Sequence, residues 1–343
     1  MRNMHLYPPL YVFLITFVVT NQLASYKNSR APMKILIADS MHPSLFTMLE
    51  AEGWEYAYHP EYKREDIIRE LPEYEGLFIR SKTFVDLEVM QPAKKLRFIA
   101  RAGAGLDLID LEIAKEKGIE VFHAGEGNRD AVAEHMLGML LGLLANIVKA
   151  DKEVRNGIWD REGNRGVELM KKTVGLIGYG NNGGATAKRL SGFGCKVLAF
   201  DKYRDNYGDA FATEACLEEI MKEADILSLH VPLTDETKYL IDQKFIENFS
   251  KPFYLMNLSR GKVANLTAVV EGLKSGKIIG ACLDVLENEK LKTLTEEQQA
   301  VFDYLINSNR VVLTPHIGGW THESYVRINE VLLRQIKEWL VMA

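Results

Sequence analysis

The sequence predicts an α/β protein made of parallel βαβ units, and three observations lead there. Short apolar runs of strand character alternate with helix-like runs from Met33 onward. A glycine-rich turn, Gly178-Tyr179-Gly180-Asn181-Asn182-Gly183, leaves one such run and opens a helical one, and Asp201 closes the next run 18 residues past Gly183. The composition is that of an ordinary globular chain: 343 residues, 47% hydrophobic, 26% charged, formal net charge −5. A chain of this length suggests two domains.

In chain order, Lys34–Asp39, Gly76–Ile79, Arg97–Ala100 and Ile119–Phe122 read as strands, with helices Ser44–Glu52, Arg64–Leu71 and Leu108–Lys117 between them. A second set of strands runs Thr173–Ile177, Lys196–Phe200, Asp225–Leu229, Phe253–Asn257, Gly280–Leu283 and Arg310–Thr314. Six strands with helices between them fit a doubly wound sheet. Ala131 to Ala150 reads as one helix, apolar almost all round, with Gly138 and Gly142 at small-xxx-small spacing. Glu134, His135, Asn146 and Lys149 argue against a membrane span and for burial between domains or subunits. The tail from Trp320 has helical periodicity in Val326, Val331, Leu332, Ile336 and Leu340, and can return to the first unit, making that domain discontinuous.

The first 32 residues stand apart. Leu10 to Val19 is nearly continuous apolar sequence, the size of a signal-peptide core and well short of the roughly 20 residues of a spanning helix. Two readings are kept: an upstream start with Met33 the true first residue, or an export or anchoring segment. No membrane segment is expected in 33–343. The mildly acidic balance and the lack of a basic run argue against nucleic acid. Cys195, Cys216 and Cys282 have neither metal spacing nor a disulfide pattern, which suits a reducing cytoplasm.

The glycine turn has a physical reading. Gly178 permits the tight turn, Gly180 lets a pyrophosphate approach the backbone, and Gly183 lets the helix pack on the sheet. The helix N-terminus offers N–H groups and partial positive charge. Asp201 can accept from a ribose 2′-hydroxyl and repels a 2′-phosphate. NAD is therefore favoured over NADP, with Lys202 and Arg204 pulling the other way.

Further segments carry a family resemblance: Arg80-Ser81-Lys82-Thr83, Arg101-Ala102-Gly103-Ala104-Gly105-Leu106-Asp107, Asn128-Arg129-Asp130-Ala131-Val132-Ala133-Glu134-His135, His230-Val231-Pro232-Leu233-Thr234, Asn257-Leu258-Ser259-Arg260-Gly261, Leu283-Asp284-Val285-Leu286-Glu287-Asn288-Glu289 and Thr314-Pro315-His316-Ile317-Gly318-Gly319. In this order they resemble the D-isomer-specific 2-hydroxyacid dehydrogenases, from Met33 to the C-terminus. Arg80-Ser81-Lys82-Thr83 looks most like the D-3-phosphoglycerate dehydrogenase branch, in a short form without a regulatory domain.

The resemblance implies two Rossmann-like domains, an NAD-binding domain over 128–318 inserted into a discontinuous substrate domain of 33–127 and 319–343, with the active site in the cleft. It implies a homodimer built in part on the long helix. The implied reaction interconverts a D-2-hydroxy acid and its 2-oxo acid, with 3-phosphoglycerate and 3-phosphohydroxypyruvate (serine biosynthesis) ahead of hydroxypyruvate or glyoxylate. A rival of another class is an NAD-sensing corepressor-like binding protein.

Three residues match the family's catalytic set. Arg260 would bind the substrate carboxylate with its planar fork. His316 would move the hydroxyl proton. Glu289, 29 residues after Arg260, would favour the charged ring and fix its orientation, with Glu287 the competing choice. Lys290 stands where the family usually has proline, Leu286 replaces the more usual aromatic, and Trp320 takes a position often filled by serine.

NAD is expected to meet Gly178, Gly180, Asn181, Asn182, Gly183 and Asp201, then His230, Val231, Pro232 and Thr237. Leu258, Ser259, Gly318 and Gly319 are expected to complete its site, with Asp284 hydrogen-bonding the nicotinamide amide. Substrate is expected at Arg80, Ser81 and the backbone of Gly103, Ala104 and Gly105. No metal is expected.

Overall fold

A computed structural model of the chain describes residues 32–342. The two readings of the N-terminal segment lie outside the described residues. The chain divides into two compact units, one running up to Asn128 and resuming at Tyr325, the other Arg129–Ser324.

The first unit carries β1 (Lys34–Ile37), α1 (Ser44–Glu52), β2 (Glu55–Tyr58), α2 (Arg64–Glu70), β3 (Gly76–Ile79), α3 (Leu87–Met90), β4 (Phe98–Arg101), α4 (Leu111–Glu116) and β5 (Glu120–His123). Its sheet is parallel throughout, in the order β2-β1-β3-β4-β5. Ile35, Leu36, Ile37, Leu77, Phe78 and Ile79 are all fully buried, as a sheet covered on both faces requires. Strand β2 has no counterpart in the sequence reading. It lies at the sheet edge with Glu55 and Tyr58 exposed, so Glu-Tyr-Ala-Tyr lacks the apolar run that marks the central strands.

The long helix α5 (Gly125–Leu144) leaves the first unit and runs into the second. The single helix expected over residues 131–150 is two. After α5 the chain turns by 62° into α6 (Ile147–Arg155). Asn146 marks the break with φ +54°, a left-handed conformation that asparagine tolerates and that ends the α5 ladder. Among the described residues no single helix is long and apolar enough to cross a membrane.

The second unit continues with β6 (Thr173–Ile177), α7 (Asn181–Leu190), β7 (Lys196–Phe200), β8 (Thr213–Glu214), α8 (Leu217–Glu223), β9 (Ile226–Leu229), α9 (Gln243–Glu247), β10 (Phe253–Asn257), α10 (Leu266–Ser275), β11 (Ile278–Leu283), α11 (Glu296–Asn307) and β12 (Val311–Leu313). The parallel sheet runs β12-β11-β10-β9-β6-β7-β8. Separate apolar clusters, one around Leu227, Leu255 and Leu273 and one around Met136, Leu176 and Met256, bury its strands.

The last helix, α12 (His322–Met342), is shared at its start and then returns to the first unit. There Ile328, Leu332, Leu333, Ile336 and Leu340 join the core of Ile35, Phe78 and Phe98. At Gly127 a Cβ would stand 2.8 Å from the Ile328 backbone, so glycine lets α5 and α12 cross closely.

Each sheet has one place where the chain winds off in both directions: between β1 and β3 in the first, and between β6 and β9 in the second. Ligands of open α/β sheets bind at such switch points, at the carboxyl ends of the strands.

Candidate active site

In the second unit the switch point holds the glycine turn. Gly178 has φ +93°, and a Cβ there would stand 2.5 Å from the His230 carbonyl oxygen. A Cβ on Gly183 would stand 2.2 Å from the Gly178 carbonyl oxygen. At Gly180 the same position is open space, so the first turn of α7 can be approached directly. Asn182 adds a buried side-chain oxygen without a hydrogen-bond partner beside that turn, and Asn181 opens the helix exposed. A bare helix N-terminus and an orphaned acceptor fit a dinucleotide.

The walls of this crevice are fixed by hydrogen bonds. Asp201 accepts the Tyr179 N–H at 2.9 Å on one oxygen and the Tyr203 N–H at 3.1 Å on the other. His230 shares a hydrogen with the Ser228 hydroxyl at 2.9 Å, and burial pushes its imidazole down to about 4, so the ring is neutral. Val231 packs on the Gly178 turn, and the Thr237 hydroxyl donates to the Pro232 carbonyl at 2.6 Å, closing the loop after β9.

The three expected catalytic residues lie on the carboxyl edges of β10, β11 and β12. Register places Asn257 beside Leu283, and Leu283 beside Leu313, so the loops that follow emerge at one level. Arg260 comes from the first loop. Its Nη1 donates to the Ser259 carbonyl at 2.8 Å, and the Asn257 amide ties the Arg260 carbonyl at 3.1 Å. Ser259 donates to the Asn257 side chain, and both Leu258 and Ser259 are buried. Gly261 next in line is obligatory, because a Cβ would stand 1.9 Å from the Leu286 carbonyl oxygen.

His316 and Glu289 meet directly. The imidazole Nδ1 lies 2.9 and 3.0 Å from the two Glu289 oxygens. An ionised carboxylate only accepts, so Nδ1 carries the hydrogen and Nε2 is left for chemistry. Glu287 points elsewhere, taking the Leu266 N–H at 2.6 Å and the Tyr239 hydroxyl at 2.9 Å. His316 has φ +58°, a left-handed conformation that costs a non-glycine residue on the order of 1–3 kcal/mol and tends to mark functional sites.

Asp284 is what holds that strained loop. One oxygen accepts the Thr314 hydroxyl at 2.5 Å and the Ile317 N–H at 2.9 Å, the other the Gly318 N–H at 2.8 Å, and its carbonyl takes the His316 N–H at 2.7 Å. Burial alone would push its carboxyl up; His135, Thr314 and the two N–H groups outweigh that, and the net direction is down. Its side chain is 1% exposed, and through these bonds it braces the His316 loop. Gly319 accepts the Ser324 hydroxyl at 2.8 Å, and Trp320 is half-exposed.

In the first unit the switch point holds Arg80 and Ser81. Asp39, just past β1, accepts the N–H groups of Arg80, Ser81 and Lys82 on a single oxygen at 2.8, 3.1 and 3.2 Å. Arg80 is half-buried, with its guanidinium carbon 5.0 Å from the centre of the Tyr325 ring. Ser81 is exposed. The Gly103 turn follows β4. Gly103 has φ +151°, and a Cβ there would stand 1.8 Å from Arg101 Nη1, so the guanidinium lies against the turn. Gly103 turns its own N–H back onto the Arg101 carbonyl at 2.9 Å, leaving Ala104 and Gly105 the better placed to face an anion.

Sequence reasoning passed over Asp39, Arg101, His135, Thr314 and Tyr325. Asp39, Arg101, His135 and Thr314 lie inside runs or motifs that were read; Tyr325 carries no local signal.

The family model described as "D-isomer specific 2-hydroxyacid dehydrogenase, NAD binding domain" matches residues 137–318. The chain is 33% identical over 306 residues to a D-3-phosphoglycerate dehydrogenase of Archaeoglobus fulgidus, covering 89% of this chain but 56% of that one, so it spans little more than half of that relative. It is 36% identical over 274 residues to a hydroxypyruvate reductase of Thermotoga maritima, covering 80% of this chain and 87% of the other. Among solved structures, a D-lactate dehydrogenase from Aquifex aeolicus, complexed with NAD and lactic acid, superposes with a TM-score of 0.77 at 26% identity, covering 89% of this chain and 95% of that one.

Proposed function

The chain belongs to the D-isomer-specific 2-hydroxyacid dehydrogenases, and from that premise we propose that it interconverts a D-2-hydroxy acid and its 2-oxo acid with NAD, 3-phosphoglycerate and 3-phosphohydroxypyruvate being the pair that fits best. The observation that carries the reading is the His316–Glu289 pair, held in a strained loop on the sheet edge that also presents Arg260.

NAD, when bound, supplies the two-electron acceptor. The protein's own part is acid–base and electrostatic. In oxidation His316 Nε2 takes the hydroxyl proton while Nδ1 stays on Glu289; in reduction the same nitrogen returns it. Glu289 keeps the ring oriented and stabilises the imidazolium. Arg260 binds the substrate carboxylate and polarises the neighbouring carbonyl. Ala104 and Gly105 offer backbone N–H groups to the carboxylate.

The phosphate reading rests on the first switch point. Arg80 follows β3 at its carboxyl end and is held against the Tyr325 ring, so one half-buried guanidinium stands at this switch point. A phosphorylated acid gives the Arg80 fork an anionic partner that glyoxylate lacks. Hydroxypyruvate or glyoxylate reduction is the second reading, supported by the likeness to the Thermotoga protein.

A homodimer is proposed on the α5–α6 side. Ile147, Val148, Val154, Ile158, Trp159 and Met170 are each more than half exposed, Trp159 at 84%, an apolar surface that a second copy would cover. Three free cysteines and NAD chemistry favour the cytoplasm.

NADH oxidation across a panel of 2-oxo acids tests the function. The highest kcat/KM is expected with 3-phosphohydroxypyruvate. A higher value with hydroxypyruvate or glyoxylate would move the substrate to the second reading. No turnover with any, in protein that binds NADH, would leave a coenzyme-sensing binding protein.

A further inference from the structure

Two cations follow Asp201 in the loop after β7, Lys202 and Arg204, and cations at this place ordinarily draw a 2′-phosphate. Each has a partner within the protein. Arg204 Nη1 donates to the Tyr179 carbonyl, inside the glycine turn. Lys202 Nζ lies 2.8 Å from Glu236 Oε2, and the Tyr203 hydroxyl donates to that same oxygen at 2.6 Å. Glu236 arrives from the other side of the switch point, on the loop after β9. The Thr234–Thr237 turn presents it, pinned by the Thr237 hydroxyl on the Pro232 carbonyl and the Thr234 N–H on the Thr237 hydroxyl at 2.8 Å. The loops after β7 and β9 flank the β6 turn, so this clasp bridges the two walls of the coenzyme crevice.

We propose that Glu236 is a coenzyme-specificity residue, which selects NAD over NADP by holding Lys202 away from the ribose and adding a negative charge opposite Asp201. The inference deepens the NAD reading and rests on it. The physical argument is charge balance. Asp201 and Glu236 together match Lys202 and Arg204, so the ribose end of the crevice offers a 2′-phosphate no surplus of positive charge. Removing Glu236 frees one ammonium group a residue away from Asp201. Both Lys202 and Glu236 side chains are more than half exposed, at 58% and 52%, so their pairing adds little to folding stability and substitution leaves the fold intact. Discrimination, rather than stability, is what the clasp can provide.

Direct binding tests this without turnover. NADH and NADPH are titrated by nucleotide fluorescence into the full chain, as wild type, Glu236→Gln, Lys202→Met and the double variant, with melting temperatures taken in parallel. Wild type is expected to bind NADH more tightly. Glu236→Gln is expected to tighten NADPH by about fivefold while NADH stays within about twofold, and the gain is expected to shrink as salt is raised. The double variant is expected to lose that gain, since Lys202 is the group released. An unchanged NADPH-to-NADH ratio in Glu236→Gln overturns the proposal. So does a gain that survives in the double variant, which would mark a general field effect. Failure of wild type to bind either nucleotide would instead strike the NAD reading itself, and is distinct from both.

Discussion

The two switch points are built from opposite materials. Between β6 and β9 the chain removes side chains: Gly178 and Gly183 press backbone on backbone, Gly180 leaves open space, and His230 is kept neutral by burial. Between β1 and β3 the chain adds side chains: Asp39 gathers three N–H groups, and Arg80 stands half-buried against Tyr325. A crevice for a cofactor common to many enzymes can be made from bare backbone and a helix end. A crevice that must recognise one particular acid needs placed charge. Substitutions should therefore separate the two, with chemistry and coenzyme binding sensitive in the second unit and substrate choice sensitive in the first.

The largest effect is expected at His316. His316→Gln keeps polarity but cannot carry the proton, and kcat for the best 2-oxo acid is expected to fall by roughly 10²–10⁴. The NADH dissociation constant, read by fluorescence, should stay within about twofold, because His316 is assigned the proton and is not among the residues expected to hold the coenzyme. Near-normal kcat would remove the assigned proton carrier.

Next comes pH. The His230 imidazole is held down at about 4 in the folded protein, against about 6.5 when free. The unfolded ring therefore takes up a proton that the folded ring refuses. Stability from this source is fully present above about pH 6.5 and is lost as pH falls from there toward 4. Urea unfolding at pH 7 and pH 5 should show wild type losing about 1–2 kcal/mol more than His230→Asn. Equal losses would mean the crevice does not enforce neutrality there.

The crevice of the first unit keeps its charge. Burial lowers the Arg80 guanidinium, Tyr325 and Asp39 act the other way, and arginine starts so high that it stays a cation at neutral pH. Arg80→Gln is expected to cut kcat/KM for 3-phosphohydroxypyruvate by about tenfold or more, through KM, and to leave hydroxypyruvate nearly unaffected. Equal losses on both acids would show that Arg80 supports the fold rather than the phosphate.

These contrasts also explain what could be read from the sequence. The glycine turn, Asp201, and the Arg260, Glu289 and His316 motifs are each written within a few residues, and the strands that carry them are strong apolar runs buried on both faces. Thr173–Ile177 and Phe253–Asn257 fall where periodicity puts them. Strand β2 escaped because an edge strand need not be apolar. The bend at Asn146 escaped because Ile147 and Val148 resume the apolar run directly after it, so the asparagine reads as one polar interruption of a continuing helix. Asp39 and Tyr325 matter through partners 41 and 285 residues distant, Arg80 and Ser40, and only the folded sheet brings those together. The choice between Glu287 and Glu289 likewise needed the loop's path, since both are glutamates two positions apart.

The smallest effect tests that long-range assembly directly. The Tyr325 hydroxyl donates to the Ser40 carbonyl at 3.0 Å and lies 3.5 Å from Arg80 Nη1, at the outer limit of a hydrogen bond, while its ring sits under the guanidinium. Tyr325→Phe keeps the ring and loses both polar links. The KM for 3-phosphohydroxypyruvate is expected to rise about two- to threefold with kcat unchanged, a loss of well under 1 kcal/mol, as suits one weak link beside a retained cation–π contact. Tyr325→Ala removes the ring as well and should approach the Arg80→Gln value. If Phe matches wild type while Ala matches Arg80→Gln, the ring alone positions the cation. If neither variant moves KM for the phosphorylated acid, Arg80 is held by its own strand end and Asp39, and the side-chain crevice of the first unit is as locally encoded as the glycine crevice of the second.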